Sequence, residues 1–220
     1  MAMNNSSNNN INIKRYNIFK KHIKLLIEKS QYFSMRHKND IVKLIEDIGE
    51  EYKDKITFQF CPTIEYTLNK NIESTGNYIA FEIKDDRLWR RLYRIGRDKY
   101  YFELEKTINI LLNKGESVAF LSHDGSKLFY NYLLKRGLKI EFIDNSVSDE
   151  TVIYNNYSKI KTLICTAGHS QMIGSVIRGM KIISLVTHPK ILNFCLDTNN
   201  NNYVEPNKDF NFSNKLINMI

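Results

Sequence analysis

Thr162-Leu-Ile-Cys-Thr-Ala-Gly-His-Ser-Gln-Met-Ile-Gly-Ser-Val-Ile-Arg-Gly-Met-Lys-Ile-Ile-Ser-Leu185 carries the most structural information in the chain. Residues 162–166 are apolar and β-prone and read as a strand. Gly168 then permits a tight turn, and small and apolar residues over 170–178 follow at helical spacing. Gly179 closes that helix, and residues 181–186 read as a second strand. Strand, helix and strand within so short a span is the unit of a parallel sheet with crossover helices.

The same alternation extends in both directions. Residues 78–83, 117–121 and 139–143 read as strands, and 100–113, 126–135 and 150–157 as helices. Gly115 and Gly137 stop two of these helices, and Pro189 opens a last one over 189–196. Five strands from residue 78 onward make a doubly wound α/β domain. Ahead of it, 16–29 and 41–48 have helical periodicity and 56–60 reads as a strand, which amounts to a partial N-terminal α/β portion. The boundary falls in 69–77. The expected organisation is a disordered Asn-rich tail over 1–12, the partial portion over 13–72, the parallel-sheet domain over 73–197 and an Asn-rich tail over 198–220. Within the last segment, the tract 199–202 is expected to be mobile, and 203–220 reads as either a docked helix or a frayed end.

At 220 residues, with 42% hydrophobic and 12% aromatic content, the chain is long enough for a substantial core. A net charge of +8 points to an anionic partner, although the abundance of Lys, Asn, Ile and Tyr offers a purely compositional reading. Nucleic acid is not expected. Cys61, Cys165 and Cys195 are far apart and form no Cys-x-x-Cys pair, so neither a zinc site nor a disulfide framework is expected. The polar N-terminus and the lack of any long apolar stretch point to a cytoplasmic protein.

Three constellations carry candidate chemistry. The turn with Gly168, His169 and Ser170 ends a strand and opens a helix. Open α/β sheets bind ligands at that edge, and amides of a helix start attract anions. His169 would contact the anion or donate a proton; the plain alternative is that His169 and Ser170 merely cap the helix. Ser122-His123-Asp124-Gly125 follows another strand and places His123 at the same edge, with turn and cap chemistry as its plain alternative. Arg87, Arg90, Arg91, Arg94 and Arg97 share one face if the segment is helical, beside Trp89 and Tyr93. Such a stripe touches an anionic membrane or glycan, or is a solvated face whose Arg stems cover apolar surface. Arg36, after a short apolar run over 31–35, either brings a further cation to the cleft or ends a sheet edge.

The order of these pieces resembles the polysaccharide pyruvyl transferases over residues 32–197. Ser34-Met-Arg36 looks like the family's Ser-Val-Arg-Asp turn, and Cys61-Pro-Thr63 like its Pro-containing step. Tyr101-Phe-Glu-Leu104, Lys114-Gly115 and Val118-Ala-Phe-Leu121 fall in the expected order. Gly168-His-Ser170 through Gly179, followed by Pro189-Lys190 and Phe194, looks like the family's His-Ser segment, small-residue helix and trailing Lys. The resemblance implies a GT-B-like transferase that needs no cofactor. It would move a pyruvyl unit from phosphoenolpyruvate, an anionic donor, onto a hexose of a glycan as a cyclic ketal. His169 would be catalytic, and Gly168, Ser170, Lys190 and Arg36 would bind substrate; His123 joins them as a substrate-binding candidate from its place at the same sheet edge. The chain departs from the family at Ala167, where an Arg is usual, and in lacking most of the early N-terminal domain, so it reads as a truncated or divergent member. Two alternatives stand beside this reading: a nucleotide-sugar-dependent GT-B glycosyltransferase, and an inactive glycan- or nucleotide-binding module.

Overall fold

A computed structural model describes residues 5–84, 88–123 and 127–220, so Asp124, Gly125 and Arg87 lie outside the described residues. The chain divides into two compact units, Met1–Phe60 and Cys61–Ile220. The division falls ahead of the 69–77 stretch because α3 (Pro62–Asn69), which opens the second unit, packs on a helix of the sheet domain.

The first unit comprises α1 (Asn5–Lys29), β1 (Ser34–Met35), α2 (Lys38–Ile48), a 3-10 turn over Glu50–Lys55, and β2 (Thr57–Phe58). β1 and β2 pair in parallel. Ile27, Leu44, Ile45, Ile48, Tyr52 and Ile56 form its small core. The N-terminal Asn tract differs from expectation, since residues 5–12 belong to α1 while 1–4 lie outside the described residues. Once a helix is nucleated over 16–29, each preceding residue adds a hydrogen bond at little further cost, even for a poor helix former.

The second unit contains β3 (Tyr78–Glu82), α4 (Leu88–Arg91), α5 (Arg97–Asn113), β4 (Val118–Ser122), α6 (Leu128–Lys135), β5 (Glu141–Asp144) and α7 (Glu150–Ser158). It continues with β6 (Ile160–Cys165), α8 (Gly168–Gly174), β7 (Lys181–Leu185), α9 (Pro189–Asp197), β8 (Tyr203–Val204) and α10 (Ser213–Met219). Its six strands lie in the order β5-β4-β3-β6-β7-β8, all parallel. The first strand, β3, lies inside the sheet; the chain winds outward through β4 and β5, then returns past β3 to β6 and winds the other way. The direction of winding therefore reverses between β3 and β6.

Alternating side chains feed two cores. Ile79, Phe81, Val118, Phe120, Ile164, Ile183 and Leu185 meet α5, α6 and α10 on one face. Ala80, Ala119, Leu121, Leu163, Cys165 and Ile182 meet α7 and α8 on the other. A strand buried on both faces is apolar at nearly every position, as the sequence of these strands is.

The C-terminal tail is part of the fold. β8 adds a sixth strand, and Val204, Phe212 and Leu216 are fully buried. The 199–202 tract, expected to be mobile, is an ordered connection: Asn200 N–H donates to Cys195 O, Asn200 Oδ1 accepts from Asn202 N–H, and Asn202 O accepts from Ser184 N–H. Its polar side chains supply their own turn, and the apolar residues beyond it anchor the segment.

Candidate functional site

The carboxyl edge of β3, β4 and β6 brings several candidate residues together. β6 ends at Cys165, and the chain turns through Thr166 and Ala167 into α8. Gly168 and Lys190 meet there: a Cβ on Gly168 would stand 3.8 Å from Lys190 Cε, so the lysine stem lies along the turn. His169 follows on the exposed side, and Ser170 is fully buried. His123, one residue past β4, stacks edge-on against Tyr157, with ring centroids 6.4 Å apart. Tyr157 Oη in turn approaches Ser170 Oγ without reaching hydrogen-bond geometry. Burial pushes the Tyr157 phenol far above its usual range, and the Ser170 hydroxyl acts in the opposite direction. Arg36 lies in the first unit, exposed, just past β1.

One residue of this edge escaped the sequence reading. Glu82 ends β3 and is 3% exposed. Its Oε2 accepts from the amides of Ala167 at 3.0 Å and Thr166 at 3.3 Å. The turn expected to hold a foreign anion therefore already holds one of the chain's own. The signal was present: a carboxylate in the apolar run of 79–83 is anomalous for a buried strand. Thr166 seals the arrangement, since its hydroxyl accepts from Lys84 N–H at 2.6 Å. Among the described residues, the amides of Gly168 and Ser170 have no backbone acceptor. Both belong to a helix of only seven residues.

Gln171 ties α8 to its neighbours. Its Nε2 lies 2.8 Å from Ser184 Oγ, 3.1 Å from Cys195 Sγ and 3.3 Å from Ile191 O. All three cysteines are buried and unbridged. Burial, helped by the Glu82 charge, pushes the Cys165 thiol well up, so it stays protonated and inert.

The arginine-rich segment does not form the expected stripe. α4 stops at Arg91, and α5 begins only at Arg97 after Gly96, whose φ of 75° ends helical continuity. The chain bends so that Leu92 and Ile95 enter the core. Arg90, Arg91 and Arg94 instead line a cavity of about 490 Å³ at the carboxyl ends of β7 and β8. Thr187, His188, Glu205 and Lys208 face the same space, with Tyr93, Pro189 and Leu192 as apolar walls. Arg97 is exposed beside Asp98.

Asn207 holds the bend in place. Its Oδ1 accepts from the amides of Arg94 and Ile95 at 3.3 and 3.4 Å, and its Nδ2 donates to Arg91 O at 2.5 Å. His188 Nδ1 accepts from Lys190 N–H at 3.2 Å, which leaves Nε2 as the protonated nitrogen of the neutral ring. Burial, with the charges of Arg91 and Lys190, holds the His188 imidazole below its usual range.

Among the described residues, no group of His, Cys, Asp and Glu is arranged to hold a metal, and no helix is long and apolar enough to cross a membrane. No protein-family profile, curated protein or solved structure matches this chain.

Proposed function

We propose that the chain is a GT-B-like transferase of the polysaccharide pyruvyl transferase kind, using phosphoenolpyruvate as donor and a hexose as acceptor. The supporting observation is the juxtaposition of Lys190 with the Gly168-His169 turn at the carboxyl edge, beside the reversal of strand winding. The chemistry requires a cation against the donor's phosphate or carboxylate and an acid that protonates the enol methylene carbon. Lys190 takes the first role and His169 the second. One sugar hydroxyl then bonds to the central carbon, a second displaces phosphate, and the hydroxyl protons end in the new methyl group and on phosphate. Glu82, Tyr157 and Ser170 form the buried floor that holds the turn in place.

A second reading, a nucleotide-sugar glycosyltransferase, draws support from the strand order, because a sheet wound β5-β4-β3-β6-β7-β8 is the arrangement that binds nucleotides at its reversal point. One thermal-shift screen separates the two. A ligand that binds only the folded state raises the melting temperature by mass action. A rise with phosphoenolpyruvate that is lost in His169→Ala supports pyruvyl transfer. A rise with a UDP-, GDP- or CMP-sugar alone supports the second reading. No shift with any of them overturns both.

A further inference from the structure

The arginine-lined cavity is separate from the Gly168 turn. Its walls come from α4 and the bend after it, from the residues following β7, and from the residues following β8. These three segments lie far apart in sequence and are brought together at the carboxyl edge by the fold, with Asn207 clamping the bend. Among the described residues, cationic side chains dominate the lining: Arg90, Arg91, Arg94 and Lys208, with the neutral His188 two residues before Lys190. Among the described residues, Glu205 is the acidic member and is engaged by Lys208 at 2.8 Å. Among the described residues, Arg94 has no ion-pair partner. The like charges of Arg94 and Lys208 oppose each other, and a bound anion would relieve that.

A second observation is independent of charge. Thr187 lines the same cavity and is 6% exposed, yet its Oγ1 has no hydrogen-bond partner. An unsatisfied buried hydroxyl costs about 1–3 kcal/mol and is uncommon without a reason. A ligand oxygen accepting from it would remove that cost.

We propose that this cavity binds the phosphate group of a small phosphate ester, with the guanidinium groups of Arg91 and Arg94, the Thr187 hydroxyl and His188 Nε2–H as donors. The multiple N–H donors of a guanidinium match phosphate oxygens in pairs, which a lysine cannot do. The volume, about 490 Å³, accommodates more than an inorganic ion. Tyr93, Leu192 and Pro189 offer an apolar wall for the organic part. The proposal stands whether or not the pyruvyl transferase reading holds, since none of these groups belongs to the Gly168-His169 turn.

The test is calorimetric titration of the full chain with inorganic pyrophosphate at low salt, then at physiological salt. Arg91→Gln and Arg94→Gln should each weaken binding roughly tenfold, the scale for losing one hydrogen bond to a charged partner. Thr187→Val, which keeps the shape, should weaken it by a few-fold. Arg94→Gln without ligand should melt at the wild-type temperature or higher, because it relieves repulsion; a merely structural arginine would lower it. His169→Ala should bind pyrophosphate as wild type does. Titration with uridine monophosphate and sedimentation with vesicles containing phosphatidic acid distinguish a soluble ester from a lipid-borne one, and binding of either supports the proposal. No pyrophosphate binding even at low salt would overturn it. So would unchanged binding in the Arg91→Gln/Arg94→Gln double variant, equal loss in His169→Ala, or equal loss on removing a remote charge such as Lys135.

Discussion

The two flanks of the loop after β7 handle charge in opposite ways. On the α8 side, Glu82 satisfies the turn's amides, Thr166 through its carbonyl and carboxylate and Ala167 through its carboxylate, and Ser170 and Gln171 are buried. On the α4 side, three arginines face a cavity, and the Thr187 hydroxyl below them has no partner. A strand-to-helix turn with a glycine is thus not an open anion site merely by its shape; what already occupies its amides decides. Conversely, a run of arginines is not a surface stripe merely by its spacing, because a bend can turn it inward.

The comparison breaks most visibly at Glu82. Glu82→Ala strands the Ala167 amide, which bonds a charged acceptor, at about 1.5–3 kcal/mol, while the Thr166 amide keeps the Glu82 carbonyl at 3.0 Å. A stability loss of about 1.5–3 kcal/mol is expected in chemical denaturation, with pyrophosphate binding by the refolded protein retained. A loss below 1 kcal/mol would mean that Glu82 does not hold the turn.

Acid should act on the other flank. Glu103 on α5 is 1% exposed and accepts from Lys99 Nζ at 2.8 Å and from Ser213 N–H at 3.1 Å, which ties down α10. Burial pushes its carboxyl up, but the Lys99 and Ser213 hydrogen bonds and the Lys99 and Lys106 charges outweigh it, so the group lies below its usual range. A carboxyl depressed in the folded state contributes stability that is fully present above its unfolded value, near 4.3 for Glu, and is lost as pH falls through the folded value. Glu103→Gln should therefore cost about 2 kcal/mol at neutral pH and progressively less in acid. A difference between wild type and variant that does not shrink with falling pH would refute the assignment.

Asn207→Ala sharpens the contrast at lower cost. It removes one carbonyl and two amide contacts of the arginine bend, some of them long, so about 1 kcal/mol of stability should go. Pyrophosphate binding should weaken with it, while the part of the phosphoenolpyruvate thermal shift that is lost in His169→Ala should not change. His169→Ala gives the smallest stability effect: an exposed side chain at this position should leave unfolding within about 0.5 kcal/mol of wild type. A large destabilisation would instead show that His169 is structural.

Much of the fold was legible because it is local. The apolar runs of the central strands, the glycines at 115, 137 and 179, and Pro189 mark elements without knowledge of their neighbours. The turn around Gly168 was legible for the same reason. What was hidden depends on distant partners. The two residues of β8 have no periodicity to read, and α10 is fastened by Glu103, which lies 110 residues away from Ser213. The arginine cavity needed Gly96 to interrupt a helix that its spacing otherwise promises, and Asn207 to clamp the bend. Glu82 was readable as an anomaly in its strand, but its acceptor role was not, since the two amides it serves lie in the turn after a strand paired with β3 only in the fold.

The brevity of β8 governs what stops the sheet from growing. It pairs with β7 only at Ser184 and Leu185, and Pro206 follows two residues after it with no N–H to offer a neighbouring chain. At the opposite border, β5 carries Glu141 and Asp144, whose charges discourage stacking of a second strand. A chain cut ahead of Tyr203 would lose this blunt cap along with α10, leaving β7 as a bare border flanked by the apolar surface that Phe212 and Leu216 now cover. The C-terminal segment is thus the chain's guard against self-templated assembly: its removal would convert a folded surface into an adhesive one, and the truncated protein would be lost to aggregates before any question of its chemistry arose.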